Sequence, residues 1–296
     1  MGNILTKQFY RQRKDFEDSC AGRDAGLTFP EGVRCSTDIA YADDGIKAHV
    51  LDIYRPEDSQ EKILPVIINV HGGGLIIGNK EFNRYFCALL CKKGFLVYSI
   101  EYRLIPDCLI YDQIADVFMA MDYIKERLAA DGGDSSHVYM AGDSGGACLI
   151  TYVNAIQNST NIARAANVTP SGLRINALGL ISGMFYTSRF DKIGLFLPKY
   201  LYGRDYKKTS FAKYVNPENR ELLNSLAPVW LVTSHNDFLR RYTTDFEKAL
   251  TRAEREHELV VFPKNKKLTH AFSVFEPFMP ESGAVIDMMA EYFRKF

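Results

Sequence analysis

From residue 65 onward, the chain alternates short apolar segments with longer segments of helical periodicity. Short, wholly apolar runs are typical of strands in a parallel sheet that is buried on both faces. We predict such strands at 66–70, 95–100, 138–141, 175–181, 229–233 and 259–262. We predict helices at 81–93, 113–130, 146–157, 243–256 and 283–294. This alternation indicates an α/β fold with helices on both faces of the sheet.

The chain before residue 65 carries a different pattern. Leu5, Phe9 and Phe16 recur at helical spacing, and a stretch that contains Gly and Pro follows them, so we predict one or two short helices and then a loop. A D-G pair separates two β-like segments, 37–41 and 46–54, which predicts a hairpin. With this hairpin the predicted sheet has eight strands, and antiparallel pairing is confined to its start.

One segment interrupts the alternation. Residues 184–227 lie between two predicted core strands and are rich in Tyr, Phe, Lys and Arg, which favours an inserted lid or cap. We predict a single domain over residues 1–296, with a cap formed by about 1–35 and 184–227. The rings of the insertion suggest a substrate with apolar bulk, although we expect most of them to seat the cap on the core. These rings are Phe185, Tyr186, Phe190, Phe196, Tyr200, Tyr202 and Phe211.

Composition argues against several classes of protein. The 296 residues include 36 basic and 36 acidic side chains, and a chain without excess positive charge is a poor partner for nucleic acid. The apolar runs are too short for a membrane helix and no secretory signal opens the chain, so we expect a cytoplasmic protein. The six cysteines form no C-x-x-C pair, and we expect reduced thiols, no metal and no cofactor.

A G-x-S-x-G motif stands at residues 142–146, between a predicted strand and a predicted helix. In this context the motif indicates a sharp turn that exposes Ser144, as a nucleophile, at the positive end of a helix. Asp143 is a supporting residue of the motif. The alternative is an ordinary strand-to-helix turn in which the serine caps the helix.

Three glycines follow His71 at the end of a predicted strand. A glycine run in this place leaves backbone N–H groups free to point at one substrate oxygen. The alternative is a flexible loop, but beside the serine motif the run predicts an oxyanion hole. We assign the hole to the N–H groups of Gly72, Gly73 and Gly145, with His71 and Gly74 as supporting residues.

The acid and the base are expected after the serine, in that order along the chain. Three histidines follow Ser144. His257 begins a predicted strand beside a charged helix and is expected at the surface, and His235 is expected to be a neighbour of the site. We assign His270 as the base and Asp237 as the acid that accepts its other ring N–H. The alternative for Asp237 is a helix N-cap.

Taken together, these motifs resemble those of the hormone-sensitive-lipase-like family of α/β-hydrolase carboxylesterases. The matching segments are His71-Gly72-Gly73-Gly74, Glu101-Tyr102-Arg103-Leu104, Gly142-Asp143-Ser144-Gly145-Gly146, Asp237-Phe238-Leu239-Arg240 and His270-Ala271-Phe272. They follow the family order from about residue 65 to the C-terminus. The resemblance implies the α/β-hydrolase fold, carboxylester hydrolysis, and a cap built from N-terminal helices and an insertion. Ser234, Phe238 and Asp107 depart from residues common in the family.

The predicted activity is hydrolysis of short to medium acyl esters by Ser144, His270 and Asp237, with a small-molecule ester as the partner. Two alternatives stay open: the same site acting on an amide, lactone or carbamate, and a non-catalytic ligand receptor on the same fold. The first six residues match the N-myristoylation pattern, but no stable membrane anchor is expected. The sequence is also compatible with a homodimer.

Overall fold

The computed structural model describes residues 2–59 and 62–296, so Met1, with which the N-myristoylation pattern begins, lies outside it. Its strands are β1 Val33–Ala40, β2 Val50–Pro56, β3 Leu64–Val70, β4 Leu96–Ile100, β5 Gly133–Asp143, β6 Ala177–Ile181, β7 Val229–Ser234 and β8 His257–Phe262. They form one sheet in the order β1-β2-β4-β3-β5-β6-β7-β8. β2 is antiparallel to β1 and β4, and the other neighbours are parallel. The predicted eight-stranded, mostly parallel sheet is confirmed.

Helices connect the strands. They are α1 Gly2–Asp24, α2 Arg84–Lys92, α3 Ile110–Arg127, α4 Ser144–Asn158, α5 Thr160–Ala166, α6 Lys192–Phe196, α7 Pro198–Leu201, α8 Arg220–Asn224, α9 Arg240–Arg252, α10 Phe272–Phe275 and α11 Pro280–Phe293. Short 3-10 helices lie at Glu57–Ser59, Lys80–Asn83, Tyr206–Lys208 and Ser210–Tyr214. The N-terminal segment forms one helix rather than two. None of the helices in the described residues combines the length and apolar character that a bilayer span needs.

The hairpin at the start of the sheet has a longer loop than the D-G pair suggested. The predicted strands over 37–41 and 46–54 were wrong in their bounds, because β1 ends earlier and β2 begins later. The Asp44 carboxylate accepts from the Ile46 N–H at 3.0 Å and lies 2.6 Å from His49 Nδ1. These contacts fold the residues between the strands into a loop of their own.

Side chains cover both faces of the sheet, which explains the continuous apolar pattern of the central strands. Val66, Ile67 and Ile68 of β3 are all fully buried. Val66 and Ile68 belong to one hydrophobic cluster and Ile67 belongs to the other, as the alternation of side chains along a strand requires. On the second face, the Phe293 ring of α11 stacks on Tyr139 of β5 at a centroid distance of 4.6 Å.

The insertion between β6 and β7 contains α6, α7, α8 and two of the 3-10 helices. Several of its rings attach it to the rest of the molecule. Phe185 stacks on Phe246 of α9 at 4.2 Å, and Phe211 contacts Tyr152 of α4 at 5.5 Å. Phe190 instead is 92% exposed. The rings of the insertion therefore mainly hold it in place.

The N-terminal helix α1 lies across the carboxyl ends of β3 and β4. Arg13 attaches it there, because its guanidinium donates to the Ile76, Leu104 and Ile105 carbonyls and to the Asp107 carboxylate. The Phe9 ring meets Tyr200 of α7 edge to face at 5.2 Å. Because the active-site loops of such a sheet lie at the carboxyl ends of its strands, α1 is placed beside the predicted site.

Candidate active site

Ser144 lies at a sharp turn between β5 and α4. Its φ of 48° is in the left-handed region, which a serine rarely adopts. Small neighbours make the turn possible: a Cβ on Gly146 would lie 2.1 Å from Val70 O, and one on Gly142 would lie 2.9 Å from the carbonyl carbon of Gly146. The strand, the strained turn and the helix form the structure that G-x-S-x-G predicts.

The Ser144 hydroxyl does not cap α4. The N-cap residue is Asp143, and no side chain forms a capping hydrogen bond there. Ser144 Oγ instead lies 2.9 Å from His270 Nε2. The interpretation of the motif as an ordinary turn with a capping serine is therefore excluded.

His270 joins Ser144 to Asp237. Its Nδ1 lies 2.7 Å from Asp237 Oδ1. An ionised carboxylate can only accept, so Nδ1 carries a proton that it donates to Asp237. Nε2 of a neutral ring is then an acceptor for the Ser144 hydroxyl proton. The structure thus brings together three residues that are far apart in the sequence, in the arrangement that a base and its orienting acid require.

Asp237 is buried and held by several donors. Thr233 Oγ1 donates to its Oδ2 at 2.8 Å, and the Leu239 N–H donates to its Oδ1 at 2.8 Å. Burial opposes ionisation of Asp237, but the hydrogen bond and charge of His270, with a further bond from Ser182, hold its pKa below the usual value. The N-cap of α9 is Leu239, so Asp237 is not a helix cap.

The other two histidines after Ser144 lie elsewhere. His235 is exposed, and its Nδ1 accepts from an Arg240 guanidinium nitrogen at 2.8 Å. His257 begins β8, and its Nδ1 lies 2.7 Å from Arg255 O. His235 is on the loop that carries Asp237, as predicted, but it forms no hydrogen bond with Ser144 or Asp237.

The structure corrects the assignment of Gly72 to the oxyanion hole. The Gly72 N–H donates to Asp143 Oδ1 at 3.0 Å, so this donor is already paired. Gly73, with a φ of 103°, and Gly74 line the cavity in front of Ser144. A Cβ on Gly145 would lie 2.9 Å from Gly74 N, which shows that these two backbone segments are in contact.

Buried polar residues hold the glycine loop in place. His71 Nδ1 lies 2.8 Å from Gly72 O, and Nε2 lies 3.0 Å from Glu101 Oε1. Both partners are acceptors, so both ring nitrogens carry protons. Burial lowers the pKa of His71, but the charge and hydrogen bond of Glu101 raise it above the usual value. The Tyr102 hydroxyl donates to His71 O at 2.8 Å, and the two rings stack.

Asp143 connects this loop to the nucleophile turn. Its Oδ1 also accepts from Asn83 Nδ2 at 2.9 Å, and the residue is almost completely buried. Burial raises the pKa of Asp143, although the Asn83 bond and the nearby histidines oppose the increase. The predicted supporting residue of the serine motif is therefore in contact with the glycine motif.

Ser144 and His270 open into a cavity of about 330 Å³. Its other walls are mainly apolar. They come from Phe16, Ile77, Phe82, Met184, Ile193, Phe238, Leu239 and Phe275. This lining was not predictable from the sequence, because its residues are scattered over α1, two loops, the 3-10 helix Lys80–Asn83, the insertion and α10. The helical spacing of Phe9 and Phe16 was the one signal that α1 has an apolar side.

A family model described as the alpha/beta hydrolase fold matches residues 67–273. The chain belongs to this α/β-hydrolase family. The match includes both glycine-containing motifs and all three residues of the hydrogen-bonded chain. The family resemblance inferred from the motifs is thereby confirmed.

Curated relatives of this α/β-hydrolase include plant enzymes. A probable isoprenylcysteine alpha-carbonyl methylesterase of Oryza sativa subsp. japonica is 29% identical over 184 residues, which cover 58% of this chain and 44% of the relative. Tuliposide A-converting enzyme b1 of Tulipa gesneriana is 30% identical over 131 residues, which cover 40% of this chain and 35% of the relative. The chain thus spans less than half the length of these relatives.

Solved esterase structures share the fold of this α/β-hydrolase. Esterase B from Lactobacillus rhamnosis superposes with a TM-score of 0.92 at 23% identity, covering 100% of this chain and 96% of the other. The hyperthermophilic esterase of Pyrobaculum calidifontis gives a TM-score of 0.72 at 22% identity, covering 99% and 97%. Identities this low establish a common fold, and the site must be argued from its own geometry.

Proposed function

We propose that this α/β-hydrolase is a serine carboxylesterase that acts on short to medium acyl esters. The observation that carries the proposal is the hydrogen-bonded chain from Ser144 Oγ through His270 to Asp237, with distances of 2.9 and 2.7 Å. A serine is a weak nucleophile until a base removes its proton, and this chain supplies a base whose tautomer is fixed by an acid. The Oryza sativa relative, which is named a probable methylesterase, supports an ester as the substrate.

The first half of the reaction forms an acyl-enzyme. Ser144 Oγ attacks the ester carbonyl carbon while its proton passes to His270 Nε2. The carbonyl π electrons move onto the oxygen of the tetrahedral intermediate. When the intermediate collapses, the bond to the alcohol breaks, and His270 gives its proton to the departing oxygen. Asp237 stabilises the imidazolium form of His270 throughout.

The second half releases the acid. His270 takes a proton from water as the water oxygen attacks the acyl carbon, and a second tetrahedral intermediate forms. Its collapse breaks the bond to Ser144 Oγ, which recovers its proton from His270. The products are one carboxylic acid and one alcohol, and the site returns to its starting state.

The oxyanion hole in this proposal consists of the N–H groups of Gly73, Gly74 and Gly145. Within residues 2–59 and 62–296, these three groups donate to no protein acceptor. Gly145 is the second residue of α4, where an N–H has no acceptor within its own helix. Each such donor is worth about 10²–10³ in rate. Gly74 replaces Gly72, whose N–H is paired with Asp143.

The test compares Ser144→Ala with the wild-type protein on p-nitrophenyl butyrate. We expect kcat to fall by about 10⁵ or more, since the covalent intermediate cannot form. Ser136→Ala is the matched control, because Ser136 is exposed, bonds to Asp134 and lies near the start of β5, whereas Ser144 follows the end of that strand. Turnover retained by Ser144→Ala would disprove the assignment of the nucleophile. A wild-type protein that hydrolyses no ester would favour a receptor role.

A further inference from the structure

Three phenylalanine rings form one side of the cavity in front of Ser144. Phe16 meets Phe82 edge to face at a centroid distance of 4.9 Å, and Phe82 meets Phe275 at 4.6 Å. All three line the cavity. The Arg23 guanidinium lies 4.4 Å from the Phe82 ring centroid and donates to Phe82 O at 3.0 Å, which fixes the central ring. We call Phe16, Phe82 and Phe275 the aromatic wall.

The cavity favours an uncharged, apolar occupant. Its polar side chains are those of Asp143, Ser144 and His270, and these already bond to protein groups. No Lys, Arg or Glu is among the residues that line it. A charged group on the substrate chain would lose water there without gaining a partner of opposite charge, which is costly.

The position of the aromatic wall indicates which part of the ester it contacts, the acyl group or the alcohol. The leaving alcohol must face His270, against which the Phe238 ring lies at 4.4 Å. Gly73 and Gly74, proposed to hold the carbonyl oxygen, line the same cavity as Phe82 and Phe16. An acyl chain that extends from this carbonyl into the cavity, away from His270, therefore meets Phe82 and its neighbour Phe16.

We infer that Phe16 contacts the acyl chain of the substrate and, with the rest of the aromatic wall, limits the length of that chain. The inference rests on the proposed esterase function. Phe16 is the member of the wall that α1 contributes, and it is only partly buried. It can therefore be changed in size with less effect on the core than Phe82, which is 4% exposed.

The experiment measures kcat/KM for p-nitrophenyl esters of two to twelve acyl carbons with wild type, Phe16→Ala and Phe16→Trp. Phe16→Ala should shift the preferred chain to longer acyl groups, and the ratio of long-chain to short-chain kcat/KM should rise about tenfold or more. Each methylene that gains burial is worth about fourfold in that ratio. Phe16→Trp, which fills more of the cavity, should shift the preference to shorter chains.

Phe9→Ala is the matched control. Phe9 is on the same helix and loses the same atoms, but its ring contacts Tyr200 and is not among the residues that line the cavity. We expect its chain-length profile to match the wild type. Thermal unfolding of each variant shows whether it is folded. If Phe16→Ala does not fold, Phe16→Trp still tests the inference.

The outcomes separate this inference from the proposed function. An active wild type whose profile is unchanged by both Phe16 variants would refute the role of Phe16. An equal shift in Phe9→Ala would refute it too, because loosening of α1 would then be the cause. A wild type without turnover on every ester would overturn the proposed function, and the inference with it.

Discussion

Asp143 joins the two motifs of the site. Its Oδ1 accepts from both Gly72 N–H and Asn83 Nδ2. A Cβ on Gly72 would lie 2.1 Å from Asp143 Oδ2, so the loop and the carboxyl group are in close contact. The residue before the proposed nucleophile therefore positions the loop that carries Gly73 and Gly74, two of the three proposed oxyanion donors.

We expect Asp143→Ala to lower kcat by about 10–100-fold and to change KM much less. The variant leaves the Gly72 N–H buried without a partner, at a cost of about 1–3 kcal/mol that a shift of the loop would relieve. Steady-state kinetics on p-nitrophenyl butyrate measure this effect. A kcat within twofold of wild type would show that the bond to Gly72 does not position the loop.

Asp237→Asn should lower kcat by about 10³–10⁴ while the protein remains folded. The amide can donate to His270 Nδ1, which favours the ring tautomer that cannot accept from Ser144. Circular dichroism checks the fold, and kcat on the same ester gives the effect. A loss below tenfold would contradict the role of Asp237 as the acid that orients His270.

At the scale of elements, polar side chains attach the helix α1 at two places: Arg23 near its end bonds to Phe82 O, and Arg13 near its middle bonds to the loops after β3 and β4. The Arg13 side chain is 17% exposed and donates to three carbonyls besides Asp107, whereas Arg11 is 83% exposed and lies 3.7 Å from Asp15. Bonds from a charged donor to carbonyls under partial burial contribute to stability, while an exposed pair on a helix contributes little.

Arg13→Ala should therefore lower the free energy of unfolding by about 1–3 kcal/mol, or release α1 locally. Arg11→Ala is the control and should change the free energy by less than about 0.5 kcal/mol. Urea denaturation gives both values, and limited proteolysis detects release of residues 2–24. Equal stability of the two variants would contradict the attachment of α1 through Arg13.

The attachment of α1 should also depend on pH. Burial opposes ionisation of Asp107, but hydrogen bonds from Tyr10 and Arg13 hold its pKa below the usual value. A carboxyl group whose pKa is lowered by folding stabilises the fold at pH values above its pKa in the unfolded chain, which is about 3.9. This stabilisation is lost as the pH falls through the pKa of the folded state. The stability difference between wild type and Asp107→Asn should be constant from pH 5 to 7 and shrink below pH 4. A difference that grows on acidification would contradict this sign.

The strands and helices were predictable where the residues of each element themselves show that it is buried. The parallel strands are covered on both faces, so each shows a continuous apolar run in its own residues. The hairpin bounds were not predictable in this way, because they depend on the contacts that the Asp44 side chain forms within the loop. The helix α1 was expected, but its position over the site depends on Arg13 and on loops more than sixty residues away.

At the scale of the whole molecule, the sequence predicted that Ser144, Asp237 and His270 form one site, and the structure brings their side chains within hydrogen-bonding distance. Each follows a different strand of one sheet, and parallel strands bring such loops to the same edge. The sequence could not show that the Gly72 N–H is unavailable as an oxyanion donor, because its acceptor Asp143 lies on the neighbouring strand β5. The aromatic wall was missed because three separate elements contribute one ring each.

The most direct test of the central claim is titration with a fluorophosphonate, followed by mass spectrometry of the intact and digested protein. The proposed mechanism predicts that one equivalent abolishes ester hydrolysis and adds one adduct, located on Ser144, with no labelling of Ser144→Ala. A protein that hydrolyses esters while Ser144 stays unlabelled, or that is labelled at another residue in proportion to lost activity, would contradict the account.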